Sequence, residues 1–439
     1  MAVIADRCPD IQVHVVDLNT QRVEAWNDPD LSQLPVYEPG LDQVVARSRG
    51  RNLRFSTDVD AAIASADMVF LSVNTPTKKR GVGAGQASDL RWIEACTRQV
   101  AAAAKEHTIV VEKSTLPVRT AEAIQTILNA AQDDHKTFSV LSNPEFLAEG
   151  TAINDLEKPD RVLIGGNDSN AVEALAWIYA HWVPEERILR TNLWSSELSK
   201  LTANAFLAQR VSSINSIAAL CESTGADVRE VAKAIGTDER IGSRFLQSGP
   251  GFGGSCFQKD ILNLVYLCRH YGLNQVADYW EQVVKLNTWQ QQRIGKLVVD
   301  SLFNTVTGKS IAMLGFAFKA DTNDTRESPA IRIARDLLEE GAQLAIHDPK
   351  VSPEQITRDL GQEPGMGEGS WQMAKNPEKA CEGADACLLL TEWEAYKALD
   401  WKAIAAVMRK PAWLFDARAI ADAGAARSAG LKVWRVGEG

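Results

Sequence analysis

Two kinds of apolar spacing alternate along the chain. Val13 to Asp17 reads Val-His-Val-Val-Asp, a short buried run ending on an acid. Ala66 to Val73, Thr108 to Glu112, Phe138 to Ser142 and Asp160 to Gly165 are further apolar runs of strand length. Between them, Leu90 to Lys105 and Arg119 to Ala131 carry apolar residues at helical spacing. From about Ser195 to Phe303 the helical period takes over. Leu198, Leu201, Ala205, Ala208, Val211, Ile214, Ile217 and Leu220 mark one long helix, and Val276 to Phe303 predicts another. Strand signals return at Ser310 to Phe316, Gln343 to His347, Ala384 to Leu390 and Ala412 to Asp416, with a helix from Ala330.

Strands alternating with helices predict parallel sheets with crossovers. The predicted fold class is α/β, with two Rossmann-like doubly wound domains joined by a helical central domain. The expected domains are residues 1–192, 193–303 and 304–439. Asp17 ends its strand where a dinucleotide fold places the acid that binds ribose hydroxyls. Too few residues precede Val13 to form the strand and Gly-x-Gly-x-x-Gly turn that open such a fold, and Met1 to Arg7 reads as the tail of the helix that follows the turn. That turn supplies the backbone approach to a pyrophosphate. The unpaired strand edge left behind is expected to destabilise the first domain.

Composition narrows the class. Of 439 residues, 45% are hydrophobic and 24% charged, which suits a globular chain with real cores. The net charge of -10 disfavours nucleic acid as a partner. No apolar run is long enough to span a bilayer and no secretory signal is read, so a cytoplasmic protein without a membrane partner is expected. Seven scattered cysteines with no Cys-x-x-Cys pair argue against a disulfide framework or a metal site.

Ser248-Gly-Pro-Gly-Phe-Gly-Gly-Ser-Cys-Phe-Gln-Lys-Asp260 is the most informative stretch. Its glycines let a ligand approach the backbone closely. Ile261, Leu264, Val265 and Leu267 continue it as a helix, so Cys256 falls at a helix N-terminus beside Lys259, where a thiolate is favoured. Asp260, four residues on, shares the Cys256 face and can move protons. Lys200 and Asn204 repeat that i, i+4 spacing on the long helix and can donate to an oxyanion. Ser72-Val-Asn-Thr-Pro-Thr77 and Lys113-Ser-Thr-Leu-Pro117 follow strands, where open sheets bind ligands.

Gly251-Phe-Gly-Gly-Ser-Cys-Phe-Gln-Lys-Asp260 resembles the signature of the UDP-glucose 6-dehydrogenase family in its eukaryotic form. Asn143-Pro-Glu-Phe-Leu-Ala-Glu149, Ser195-Ser-Glu-Leu-Ser-Lys-Leu-Thr-Ala-Asn204, Gly315-Phe-Ala-Phe-Lys319, Asp324-Thr-Arg-Glu-Ser328 and Phe415-Asp-Ala-Arg418 extend the likeness over essentially the whole chain. The resemblance implies oxidation of UDP-glucose to UDP-glucuronate with two NAD⁺. A Cys256 thiolate would form a thiohemiacetal and then a thioester that water hydrolyses. Lys200 and Asn204 would stabilise oxyanions, Asp260 would assist proton transfer, and Glu145 and Thr115 would hold a water network.

For NAD the resemblance implies Asp17, Arg22, Val73, Asn74, Thr75, Pro76, Thr77, Ser114, Thr115, Leu116, Glu149 and Arg326. For the sugar nucleotide it implies Glu145, Phe146, Leu147, Ala148, Glu149, Lys200, Asn204, the loop Gln247, Ser248, Gly249, Pro250, Gly251, Phe252, Gly253, and Phe318, Lys319 and Arg418. Arg240 would reach sugar nucleotide on a neighbouring subunit of a dimer-based homo-oligomer, such as a hexamer. Ala417 departs from the Gly usual in animal members. Three alternatives stand beside this expectation: a dehydrogenase of another nucleotide sugar, a non-catalytic subunit that binds UDP-sugar but NAD poorly, and an incomplete sequence starting at an internal Met.

Overall fold

The computed structural model describes residues 1–115, 117–133 and 135–439. It divides into two compact units, Met1–Ala203 with Leu262–Gly272, and Asn204–Ile261 with Leu273–Gly439.

The first unit holds seven strands: β1 (Val13–Val16), β2 (Leu53–Ser56), β3 (Met68–Leu71), β4 (Thr108–Glu112), β5 (Phe138–Ser142), β6 (Val162–Gly166) and β7 (Ile188–Thr191). They form two sheets. β1 pairs in parallel with β2, and β3-β4-β5-β6-β7 make a separate five-stranded sheet. The run at Val13 thus does not join the main sheet, in contrast to a single doubly wound layer. The pair is held instead by apolar contact, with Ile4, Ala5, Val13 and Leu53 packed against Phe70, Ile178 and Trp182. Met1 to Arg7 does form a helix, Ala2–Arg7. The other pairs of this sheet are parallel, as expected, while β6 runs antiparallel to β5. Glycine permits that pairing: a Cβ at Gly166 would lie 2.4 Å from Leu141 Cδ2.

The second unit carries β8 (Ser310–Leu314), β9 (Gln343–His347), β10 (Ser370–Met373), β11 (Ala386–Leu389), β12 (Trp413–Asp416) and β13 (Lys432–Arg435). All pair in parallel in the order β10-β9-β8-β11-β12-β13. This is the doubly wound order, with its ligand crevice expected where the winding reverses, between β8 and β11. Ile311, Met313, Leu314, Leu344, Ile346, Leu388 and Leu414 are almost wholly buried because helices cover both faces.

The long helix runs Leu193–Thr224. Leu201, Ala205, Ala208 and Ile214 are buried as the period predicts, but Leu198, Ile217 and Leu220 are exposed, as is Phe206. Apolar residues fall on every side of the helix, among polar ones, so its period alone could not say which stripe its own chain covers. A second long helix spans Asn274–Ser301.

Candidate functional site

In the second unit, the thiol loop is fixed by side-chain amides. The Gly249 N–H donates to Asn215 Oδ1 (2.8 Å) and its carbonyl accepts from Gln290 Nε2 (2.8 Å). The Phe252 N–H donates to Asn287 Oδ1 (2.8 Å), and Asn287 Nδ2 donates back to the Phe252 carbonyl (3.0 Å). The far end is tied to the Asp324–Ser328 segment, where Gly254 N–H donates to the Arg326 carbonyl (2.8 Å) and Gln258 Nε2 to Glu327 (2.8 Å). A side chain at Gly253 would start 2.6 Å from the Glu327 carbonyl oxygen, so only glycine fits there.

The helix Phe257–His270 begins directly after Cys256, as expected. The thiol is exposed, with Ser255 Oγ 3.4 Å from its sulfur. The Asp260 N–H donates to the Cys256 carbonyl (2.8 Å), closing the first turn. The Asp260 carboxylate is 1% exposed and accepts from Asn204 Nδ2 at 2.6 Å, with Lys259 Nζ 3.6 Å away. Lys259 therefore pairs with the acid. Cys256 thus stands exposed one helical turn before a buried carboxylate, Asp260, which the Asn204 amide holds.

The C-terminal sheet adds the wall. Arg418 follows β12, and its guanidinium donates to the carbonyls of Leu390 (2.8 Å) and Phe318 (2.9 Å) and lies 3.0 Å from Glu392. Buried Asp416 accepts the Arg418, Ile420 and Ala421 N–H groups and so shapes that turn. Burial pushes the Asp416 pKa up, against those bonds. The Phe318 ring lies against Gly254, and the Arg418 Nη1 lies beside Gly249. Lys319 Nζ stands 5.5 Å from the Phe318 ring centre. Gln247, Ser248 and Pro250 complete the loop. Arg240 stands apart, 89% exposed and paired with Asp238 (2.6 Å), on a segment whose carbonyls at Ile241, Gly242 and Arg244 are all held by Arg210.

In the first unit, Thr75 and Thr115 are buried together, with Thr75 Oγ1 donating to the Thr115 carbonyl (3.0 Å). Ser114 Oγ donates to the Val73 carbonyl (2.7 Å), and Asn74, Pro76 and Thr77 continue that loop. Leu116 lies outside the described residues. Asp17 and Arg22 pair at 3.7 Å beyond the end of β1. Arg326 belongs to the second unit and pairs with Asp324 (2.6 Å). Two cations lie near the Phe146 ring, with Arg161 3.8 Å and Lys200 5.4 Å from the ring centre, in an open cleft of about 460 Å³ that Leu163, Leu198 and Thr202 help line. Lys200 is 6% exposed. Glu145, Leu147 and Glu149 are half-buried, and Ala148 is fixed by its N–H to Asp155 (2.9 Å).

Sequence reasoning missed two sets of residues. One is the amide set Asn215, Asn287 and Gln290, all at most 2% exposed. Their signal was an amide at the core-facing positions of a helical pattern. The other is a buried acid pair in the first unit, Glu112 at the end of β4 and Glu197 in the long helix. The Glu197 carboxylate accepts the N–H groups of Arg119 (2.7 Å) and Ala121 (2.9 Å) at the start of the helix Thr120–Asn129. Burial, and then the charge of Glu197, push the Glu112 pKa well above the usual carboxylate range.

Residues 1–183 match the NAD binding domain of the UDP-glucose/GDP-mannose dehydrogenase family, residues 194–289 its central domain and residues 312–423 its UDP binding domain. The chain is 58% identical to the UDP-glucose 6-dehydrogenase of Gallus gallus over 430 residues, covering 96% of this chain and 86% of that one. It is 54% identical to UDP-glucose 6-dehydrogenase 5 of Oryza sativa subsp. japonica over 459 residues, covering 100% and 94%. Among solved structures, a UDP-glucose dehydrogenase from the hyperthermophilic archaeon Pyrobaculum islandicum superimposes with a TM-score of 0.85 at 30% identity, covering 99% of this chain and 94% of the other.

Proposed function

The chain belongs to the UDP-glucose/GDP-mannose dehydrogenase family, and from that premise we propose that it oxidises UDP-glucose to UDP-glucuronate with two NAD⁺, through a thioester on Cys256. The observation that carries the reading is the exposed Cys256 thiol at the start of the helix Phe257–His270, one turn before a buried carboxylate, Asp260, that accepts from the Asn204 amide at 2.6 Å.

The residues present fit NAD at its ribose end and along the strand ends. Asp17 offers a partly exposed carboxylate beyond β1, and the loops of Thr75, Ser114 and Thr115 offer hydroxyls and backbone groups. When bound, NAD accepts the two electron pairs taken from the sugar C6. The chain's own part is the covalent step. The aldehyde keeps one hydrogen on C6, but that hydrogen cannot leave as a hydride until a nucleophile adds and makes the carbon tetrahedral. The Cys256 sulfur bonds to the aldehyde carbon, and the carbonyl oxygen takes a proton to give a thiohemiacetal. Oxidation of that adduct leaves a thioester, and water then cleaves the C–S bond to release the carboxylate and regenerate the thiol. The sum is one alcohol, two NAD⁺ and one water giving one carboxylate, two NADH and three protons. Lys200 and Asn204 donate to the oxygen that becomes negative. Asp260 takes and returns protons, with Glu145 and Thr115 ordering the attacking water. Arg418, Phe318, Lys319 and the loop Gln247 to Gly253 hold the UDP-sugar.

We assign residues 1–192 to the cofactor, 193–303 to self-association and 304–439 to the UDP moiety. Self-association is supported by the exposed apolar residues Phe206, Leu220, Val276, Tyr279 and Trp289 of the helical segment. Arg240 would then serve a neighbouring copy. Among the described residues no helix is long and apolar enough to cross a membrane.

The test is stoichiometric. Purified protein is given limiting UDP-glucose and excess NAD⁺, and NADH is counted. Two NADH per sugar is expected. One per sugar would mean release of an aldehyde and no thioester, and none would sink the oxidation itself. Cys256→Ser is expected to abolish the complete reaction.

A further inference from the structure

The loop between Gly249 and Gly253 has an unusual hydrogen-bond account. The Gly249 and Phe252 peptide groups are all used on the inside, by Asn215, Gln290 and Asn287. Asn287 engages both the N–H and the C=O of Phe252, as a neighbouring strand would. Pro250 has no N–H to offer. That leaves the N–H groups of Gly251 and Gly253, which lie on buried residues and meet no acceptor among the described residues. A buried, unmet N–H costs free energy and is rare in native proteins. Gly251 also has a φ of +120°, and a Cβ there would lie 2.6 Å from Asn287 Oδ1. The amide and the missing side chain therefore share one space. The clamp itself carries a cost, since buried Asn215 Nδ2 has no acceptor.

We propose that Asn287, Gln290 and Asn215 are positioning residues for the sugar-nucleotide reaction: they take up the inward peptide groups of the loop so that the Gly251 and Gly253 N–H groups are held ready as donors to the oxygens of a UDP-sugar. This rests on the substrate reading above. The amide suits the task because it donates and accepts at once and stays neutral in a buried setting. A carboxylate or an ammonium there would match only half of a peptide group. No member of the set touches the reacting atoms, so its effect falls on substrate binding.

Two measurements test this. In the first, Gln290→Met and Asn287→Ser are compared with the wild type. Each is expected to raise KM for UDP-glucose about tenfold, the loss of roughly one hydrogen bond, with KM for NAD⁺ and kcat nearly unchanged. A parallel rise in both KM values, or a lower melting temperature with no change in KM for UDP-glucose, would overturn the proposal and leave the amides as packing. The second needs no variant. Hydrogen exchange of the wild-type peptide spanning Gly249 to Gly254 is followed with and without UDP-glucose, in the absence of NAD⁺. Slower exchange with the sugar nucleotide is expected, and unchanged exchange overturns the proposal. Because this readout is binding alone, slowed exchange in a protein that makes no NADH would retain the loop assignment while rejecting the oxidation.

Discussion

Replacing Glu112 by Gln is expected to change how stability depends on pH. Glu112 is 1% exposed and Glu197 3% exposed. One oxygen of Glu112 has no hydrogen-bond partner, while both oxygens of Glu197 accept backbone N–H groups. Burial and the neighbouring negative charge favour the protonated form of Glu112 and raise its pKa well above the usual range. Burial raises that of Glu197 as well. The folded protein thus keeps a proton that the unfolded chain gives up near its ordinary pKa of about 4.3. The stabilisation from this acid is complete below that pH and is lost as pH rises through the raised folded value. Within that window one linked proton gives a slope of about 1.4 kcal/mol per pH unit. Gln has the shape of the protonated acid, keeps an N–H for Glu197 and does not ionise. The variant should match wild type near pH 4 and gain on it with rising pH. In a unit of this size the gain corresponds to roughly 3–6 °C of melting temperature per pH unit within the window. Thermal unfolding of both proteins across pH 4 to 8 checks it. A difference between the two that stays constant over that range would refute the shared-proton account.

Other substitutions probe the loop, the core and the surface. Gly253→Ala places a methyl 2.6 Å from the Glu327 carbonyl oxygen and 2.8 Å from Phe318 Cβ, so KM for UDP-glucose should rise, measured by initial rates at saturating NAD⁺. Gly315→Ala puts a Cβ 2.4 Å from Thr391 at a φ of +100°; urea unfolding should show a loss of about 3 kcal/mol or more. Glu222→Gln removes the charge that Arg293 meets at 2.6 Å in a mostly buried pair, and urea unfolding should show a loss of about 1.5–3 kcal/mol. Phe206→Glu with Leu220→Glu should shift sedimentation toward a smaller species if that exposed stripe is where copies meet.

The strands that could be read from sequence are mostly apolar runs, including Val13–Val16, which pairs on one side only. Thr108–Glu112, Phe138–Ser142 and Gln343–His347 are apolar runs with helices on either side, and their bounds follow the run. Leu53–Ser56, Ser370–Met373 and Lys432–Arg435 escaped notice because each mixes polar with apolar residues, and all three pair on one side only. The thiol loop was legible because glycine density, a cysteine and an acid one turn on are local facts. Its amide clamp was not. Asn215, Asn287 and Gln290 read as ordinary polar positions, and only their neighbours in space show that they complete a ladder for Phe252 and Gly249. The Glu112–Glu197 pair is likewise 85 positions apart in the numbering and meaningful only once folded. On the long helix the period found buried Leu201 and Ile214, yet it could not tell them from exposed Ile217 and Leu220.

The shared space of Gly251 and Asn287 constrains how such a site can diverge. A side chain at 251 would strain a φ of +120° as well as meet Asn287, and a smaller residue at 287 releases Phe252, so the glycine and the amide are expected to be kept together. Transplanting residues 247–256 alone onto a relative would carry the sequence of the loop without its shape. An engineer seeking a different nucleotide sugar would do better to move the loop with the inward face of the helix Asn274–Ser301, since the specificity written in one segment is spelled by the other.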